Sequence, residues 1–228
     1  NVIAVNLPEQ RLPQHAMAET IAHELKQELM GELYIYSHCA GSSLAIETAL
    51  LLEKMGRPPV SVLVGASLPP FAFASHKSIV SPVALIRQGL NRLLANPWRY
   101  LSDSSLLKIL LSIGLRTGDI QPEQQENMIR WFRQDAAEFY DFFNRKQHEA
   151  RLDPDCMRLS APIHCIVGDQ DPVTMGAKRL YQRWNRFSNQ VDLTIIPQAG
   201  HYFLSAQASE LSQWILQIID RTAGDRHD

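Results

Sequence analysis

Apolar and polar positions along the chain fall into two rhythms that alternate. Runs of strand length, rich in Val, Ile, Leu and Tyr, occur at 2–5, 33–36, 60–64, 162–167 and 191–196. Between them the apolar residues recur at helical spacing. In 17–29, Ile21, Leu25 and Leu29 follow one another every fourth residue, with Ala18 and Ala22 beside them. Further helices are predicted at 40–55, 177–187 and 207–218, the last with Leu211, Trp214, Ile215 and Ile218 on its inner face. Gly31 ends the first helix, and Gly56 followed by Pro58-Pro59 ends the second. Strand, helix, strand, helix, strand in this order predicts a parallel sheet with crossover helices.

The rhythm breaks between residues 67 and 160, where no strand is convincing. Helices are predicted at 83–94, 104–115 and 122–146, the last opening on Pro122-Glu123 as a first turn should. Met128, Trp131, Phe132, Ala136, Phe139 and Phe143 form one apolar stripe on it. A helical insertion between two strands of a parallel sheet is a way to build a lid, and residues 68–155 are read as one. Its aromatics, Trp98, Trp131, Phe132 and Phe139, serve either as a pocket or carrier-docking face or as packing.

At 228 residues the chain suits a single domain, 1–228, with that insertion inside it. Charged residues make up 20% and the formal net charge is −2, so nothing invites nucleic acid or an anionic membrane. The apolar runs are too short to span a bilayer, and no signal peptide is visible. Three cysteines, Cys39, Cys156 and Cys165, lack metal-ligand spacing and fit a reducing, cytoplasmic location. No metal, nucleotide or flavin motif appears, so no bound cofactor is expected. The chain opens without Met inside a strand-like run, and the domain is expected to lack its N-terminal strands.

Chemistry concentrates in 33–47, LYIYSHCAGSSLAIE. A strand, a turn of small residues and a helix make the setting of a nucleophile elbow, Gly-x-Ser-x-Gly. Here the elbow reads Ser37-x-Cys39-x-Gly41, and a thiol stands at the nucleophile position. Ser37 and Gly41 are small, as a tight strand-to-helix turn requires. Asp171 and His201 lie just past two later strands, in Gly168-x-x-Asp171-Pro172 and Gly200-His201-Tyr202-Phe203. Nucleophile, acid, histidine is the chain order of α/β-hydrolases, and catalytic groups of open α/β sheets gather at that strand edge. A thiol attacks as thiolate, the imidazole takes its proton, and a buried carboxylate orients the imidazole. Asp169 competes for the acid role, but the spacing favours Asp171 and leaves Asp169 as a turn-former. His38 and His164 are read as local, His164 within a buried strand. The backbone N–H of Ala40, heading the elbow helix, is the expected oxyanion donor. A second donor normally comes from a Gly-rich loop after an earlier strand, and none precedes residue 33.

These motifs resemble the thioesterases of nonribosomal peptide and polyketide assembly lines. Ser37-His38-Cys39-Ala40-Gly41 resembles that family's Gly-His-Ser-x-Gly, and Leu7-Pro8 its Pro-containing segment after an early strand. Ala45-Ile46-Glu47 and Leu52-Glu53-x-x-Gly56 are similar to its elbow helix, and the acid and histidine motifs match as well. The resemblance implies an α/β-hydrolase fold, a mostly parallel sheet with helices on both faces and a helical lid. It also implies a substrate carried on the phosphopantetheine of an acyl or peptidyl carrier protein. The chain departs from the family at Cys39 and at Ser37. Where many fused members carry their Asp, after the strand following the elbow helix, it reads Val64-Gly65-Ala66-Ser67. The acid must then come from the later strand, as in stand-alone members.

The thiol changes the chemistry expected. An acyl-serine is more stable than the thioester it comes from, whereas an acyl-cysteine is another thioester and stays activated. Release by cyclisation or hydrolysis is therefore one expectation. The alternative is an acyltransferase that shuttles an acyl or aminoacyl group between carrier proteins. A non-catalytic binding module and a dienelactone-type hydrolase fit less of the pattern.

Overall fold

A computed structural model of the chain describes residues 4–5, 12–70, 96–116, 118, 121–153 and 157–224. Within these, four strands form one sheet in the order β1 (Tyr34–His38), β2 (Ser61–Gly65), β3 (Ile163–Gly168), β4 (Val191–Ile196). Every pairing is parallel. His38 stands opposite Gly65 and Gly65 opposite Ile166, whereas Gly168 stands opposite Ile196, so β1 and β2 end level and β3 and β4 end together two residues further on. The architecture is the α/β-hydrolase fold with a mostly parallel sheet that the sequence predicts.

Both faces of the sheet are covered, as a parallel sheet requires. Alternate residues of β2 and β3 point to opposite sides. Val62, Val64, Ile163, Cys165 and Val167 join Ile46, Phe142, Phe143, Trp184 and Phe187 in one core, and Leu63 and Ile166 join Phe203, Leu211 and Ile218 in the other. Around the sheet lie α1 (Gln14–Glu28), α2 (Gly41–Lys54), α3 (Asp103–Ser112), α4 (Pro122–Leu152), α5 (Ala177–Leu180), α6 (Phe203–Ala206) and α7 (Ala208–Gly224). No helix among the described residues is long and apolar enough to cross a membrane.

Three expectations change. The helix predicted at 177–187 is one α-turn followed by a 3₁₀ segment, Tyr181–Arg186. Tyr181, Trp184 and Phe187 all pack into the first core, and a spacing of three faces one way at three residues per turn rather than 3.6. The long helix α4 is not one inner face. Its Phe132 and Ile129 join Leu106, Leu110 and Trp98 in a small separate core, while Phe139, Phe142 and Phe143 belong to the main core under the sheet. Residues 4 and 5 are described and lie in no strand; the rest of the strand predicted at 2–5, the helix at 83–94 and Cys156 fall outside the described residues.

Helix α2 is fastened on both sides through Glu47, a buried carboxylate. It accepts from Gln14 Nε2 at 2.7 Å and from Arg145 Nη2 at 2.5 Å, and His15 Nδ1 lies 2.9 Å away. Partners from α1 and α4 meet on this one group, so the charge is not left unpaired in the interior.

Gly168 holds the acid and histidine loops together. Asp169 N–H donates to Ile196 O at 3.1 Å and Gln170 N–H to Ala199 O at 3.0 Å. A Cβ at 168 would collide with the Ala199 carbonyl, which is backbone and cannot swing aside. Gly168→Ala is expected to destabilise the protein by about 1–3 kcal/mol, the usual size of an overpacking strain, measured as a shift in urea midpoint. An unchanged midpoint would mean that the two loops tolerate separation.

Candidate active site

Cys39 sits immediately after β1 with φ +53°, a left-handed conformation that a residue with a Cβ rarely adopts. Its N–H donates to Gly65 O at 2.8 Å, and its own carbonyl accepts from Ser42 N–H at 3.2 Å as α2 begins. Strain of this kind persists where the surroundings over-determine it, and here a strand and a helix grip one residue from both sides. Gly65 on β2 contributes, because a Cβ there would overlap the Tyr36 hydroxyl and crowd His38 Nδ1 at 3.0 Å. Gly41 does not behave as predicted. Among the described residues, nothing lies within 4 Å of a Cβ built on it, so close approach is not what its smallness serves.

The structure brings the three sequence-predicted side chains together from three strand ends. His201 Nδ1 lies 3.0 Å from Asp171 Oδ2, and Cys39 is near enough to the imidazole to strengthen its hold on a proton. His201 and Asp171 are buried, and Cys39 is half-buried. Asp171 is held by Val173 N–H and by the Thr174 hydroxyl, each at 2.8 Å. Burial works against its carboxylate, but the bonds from His201, Thr174 and Val173 outweigh burial and keep it below the ordinary range. Burial likewise works against a charged His201; hydrogen bonds and charges at Asp171 and Cys39 outweigh it and hold the imidazole up at about 9. Asp169 is exposed and forms its backbone bond at the turn. Cys165 is buried in β3, where burial pushes its thiol up to about 12.

His38 does more than flank the turn. Its Nε2 lies 2.9 Å from the His201 carbonyl and its Nδ1 3.0 Å from the Tyr36 hydroxyl. A carbonyl can only accept, so Nε2 carries the proton and Nδ1 receives from Tyr36. Burial, and then the neighbouring His201, push His38 down to about 4, so it stays neutral and keeps that tautomer. Its ring also packs edge-on against Phe203, 4.9 Å between centroids. The side chain props the backbone of the histidine loop. A 163-residue separation gave no local signal for that contact.

Two tyrosines complete the surroundings. Tyr202 stacks edge-on against His201 at 5.2 Å; burial and the charge at Cys39 push its hydroxyl up to about 12. Tyr140 comes from α4, and its hydroxyl is also pushed up by burial and by Cys39. Ala40 heads α2, where the first N–H groups have no partner within the helix. Beside it a small cavity runs between Ala40, Gly41 and Leu44 on one wall and Gln134, Asp135 and Glu138 of α4 on the other. Sequence reading missed Tyr36, His38, Tyr140 and Thr174. Only Thr174 had a usable signal, as a hydroxyl three residues after a turn aspartate.

A family model described as Thioesterase domain matches residues 1–219. The chain belongs to the thioesterase domain family. Solved structures of similar fold include ClbQ from the colibactin NRPS/PKS pathway, 18% identical, with a TM-score of 0.62 over 93% of this chain and 80% of that one. RedJ, a thioesterase from the prodiginine pathway in Streptomyces coelicolor, is 18% identical, with a TM-score of 0.62 over 92% of this chain and 76% of that one. YbtT, a type II thioesterase from the yersiniabactin NRPS/PKS pathway, is 19% identical, with a TM-score of 0.60 over 96% of this chain and 81% of that one. At these identities the likeness establishes the thioesterase fold. No curated protein sequence matches the chain.

Proposed function

We propose that this thioesterase-family chain takes an acyl or peptidyl chain from the phosphopantetheine thiol of a carrier protein onto Cys39 and passes it on, in nonribosomal peptide or polyketide biosynthesis. The observation that carries the reading is the thiol itself: strained at φ +53° in the elbow, beside a histidine whose proton affinity it raises and which is in turn paired, at 3.0 Å, with a buried aspartate. Cys39 gives its proton to His201 and attacks the acyl carbonyl carbon as thiolate. The carbonyl π electrons move onto oxygen, which the Ala40 N–H stabilises. The intermediate collapses, the carrier's C–S bond breaks, and His201 returns the proton to the departing thiolate. Asp171 keeps the proton of the neutral imidazole on Nδ1, which leaves Nε2 to accept from the thiol, and it supports the imidazolium charge. The pathways named for ClbQ and YbtT support a carrier-bound substrate. In this reading residues 68–155 are the lid insertion within the single domain 1–228.

Because acyl-Cys39 is still a thioester, the release step is close to thermoneutral toward a second thiol and favourable toward an internal hydroxyl or amine. Cyclising release, or transfer between carriers, follows from this chemistry as readily as hydrolysis. Offered an acyl-pantetheine thioester and an excess of a second thiol, the wild-type protein is expected to form the exchanged thioester faster than free acid. Cys39→Ser should lose exchange far more than hydrolysis, because its oxoester lies below the thioester in free energy. Chromatography of the two products decides it: a wild type that yields free acid alone would remove the transfer and cyclisation readings.

A further inference from the structure

Residue 38 is joined to the active site twice, and the triad chemistry uses neither connection. Through its main chain it carries Cys39, whose N–H is fixed to Gly65 O at 2.8 Å. Through its ring it reaches the base, with Nε2 2.9 Å from the carbonyl oxygen of His201. Tyr36 stands two residues earlier on β1, so its side chain leaves the same face of the sheet. It closes the chain from behind, its hydroxyl 3.0 Å from His38 Nδ1. Burial pushes the Tyr36 hydroxyl well above its ordinary range, so it keeps its proton and can only donate it to Nδ1. The His38 ring is also boxed in, edge-on to His201 at 5.7 Å and to Phe203 at 4.9 Å between centroids. On β2, Gly65 leaves room for the tyrosine, since a Cβ there would overlap the Tyr36 hydroxyl. His201 is thus held at two points: Nδ1 by Asp171 at 3.0 Å, and its own carbonyl by His38.

Resting on the reading of Cys39 as nucleophile and His201 as its base, we propose that Tyr36 and His38 are positioning residues that set how the imidazole meets the thiol. The main chain of residue 38 holds the nucleophile and its side chain holds the base, so one residue fixes the separation of the two. A ring hydrogen-bonded at one nitrogen can still pivot about that bond. A second hold, on the backbone of the same residue, removes the pivot. Tyr36 secures the second hold: by donating to Nδ1 it keeps the ring proton on Nε2, where the His201 carbonyl can accept it. The opposite tautomer would set two lone pairs face to face. No proton travels along this chain, because the carbonyl at its end only accepts, and neither side chain touches substrate.

The test is rapid-quench acylation of the full chain by an acyl-pantetheine thioester across pH, in wild type, His38→Leu, His38→Gln and Tyr36→Phe. His38→Leu is expected to slow acylation about tenfold to a hundredfold with little change in KM, the scale of a base misplaced by a fraction of a bond length to about 1 Å. Its alkaline limb should move to lower pH, because bonds and charges at Asp171 and Cys39 hold His201 up at about 9 only while the ring lies against them. His38→Gln keeps a side-chain N–H that can donate to the carbonyl and should recover most of the rate. Tyr36→Phe should lose less than His38→Leu, again in rate. Long-range 1H–15N NMR of the wild-type histidines reads the tautomer without any substrate, and His38 should carry its proton on Nε2. A ring protonated on Nδ1 overturns the chain of bonds. So does a His38→Leu protein that acylates at the wild-type rate, loses only in KM or keeps its limb unmoved, or a His38→Gln protein no faster than His38→Leu. If His38→Leu does not fold, the rate, KM and limb criteria pass to Tyr36→Phe. Absence of any acyl adduct on wild type overturns the nucleophile reading itself, and this inference falls with it even where the tautomer is as expected.

Discussion

Cys39→Ala is expected to abolish acyl transfer, with kcat falling by on the order of 10⁴ to 10⁶, the scale seen when a nucleophile acting as part of a unit is removed. The reason is positional as much as chemical. Among the described residues, the other cysteine, Cys165, is buried within β3, and burial pushes its thiol up to about 12. It cannot stand in. The acyl adduct seen by intact mass spectrometry after incubation with an acyl-pantetheine thioester should vanish in the variant. Its persistence would place the nucleophile elsewhere. Stability should move little, because alanine keeps the Cβ that makes φ +53° unfavourable and removes only a half-buried sulfur.

Asp171→Asn carries the second large effect, expected near 10³ to 10⁴ in kcat/KM. An asparagine amide facing Nδ1 can favour the wrong tautomer, turning the imidazole nitrogen that should receive the thiol's proton into a donor. The pH profile separates this from simple loss of packing. In the wild type, burial lowers the proton affinity of His201, but the bonds and charges of Asp171 and Cys39 hold it up at about 9. Activity that needs the protonated imidazole to release the leaving thiol should therefore decline as pH rises through 9. Without the carboxylate, the foremost upward influence is gone, and the alkaline limb should move to lower pH. A variant that loses rate with an unmoved limb would contradict the electrostatic role given to Asp171.

The same pair ties stability to pH. His201 binds its proton more tightly folded than unfolded, so its contribution is complete below about 6.5 and is lost as pH rises through 9. Asp171 has the opposite sign. Its folded carboxyl titrates below the ordinary value, so its contribution is present above about 4 and is lost as pH falls further.

Much of this was legible in the linear chain. Four of the five predicted strands and the first and last helices appear where short apolar runs and four-residue spacing predict them, because a parallel sheet and amphipathic helices write their burial into local periodicity. Cys39, Asp171 and His201 were legible too, since each follows a strand and the fold places strand ends side by side. The preference for Asp171 over Asp169 came from spacing alone. Its physical basis is visible only in three dimensions, in the buried carboxylate gripped by Val173, Thr174 and His201.

The stripe on α4 shows where periodicity stops being informative. Phe132 and Phe139 read alike in sequence, yet one packs with Leu106 and Leu110 and the other under the sheet with Phe143 and Trp184. Spacing reports that a face is buried and is silent about what buries it. The contacts around the thiol follow the same rule. His38 reaches the carbonyl of a residue 163 positions away. The sequence by itself determined the fold class, the elbow, and the nucleophile, acid and histidine candidates, because these depend on neighbours a few residues apart. Only the tertiary structure decided how the acid is held and what props the histidine loop. Those depend on hydrogen bonds between distant segments, and such pairings leave no periodic trace in either partner.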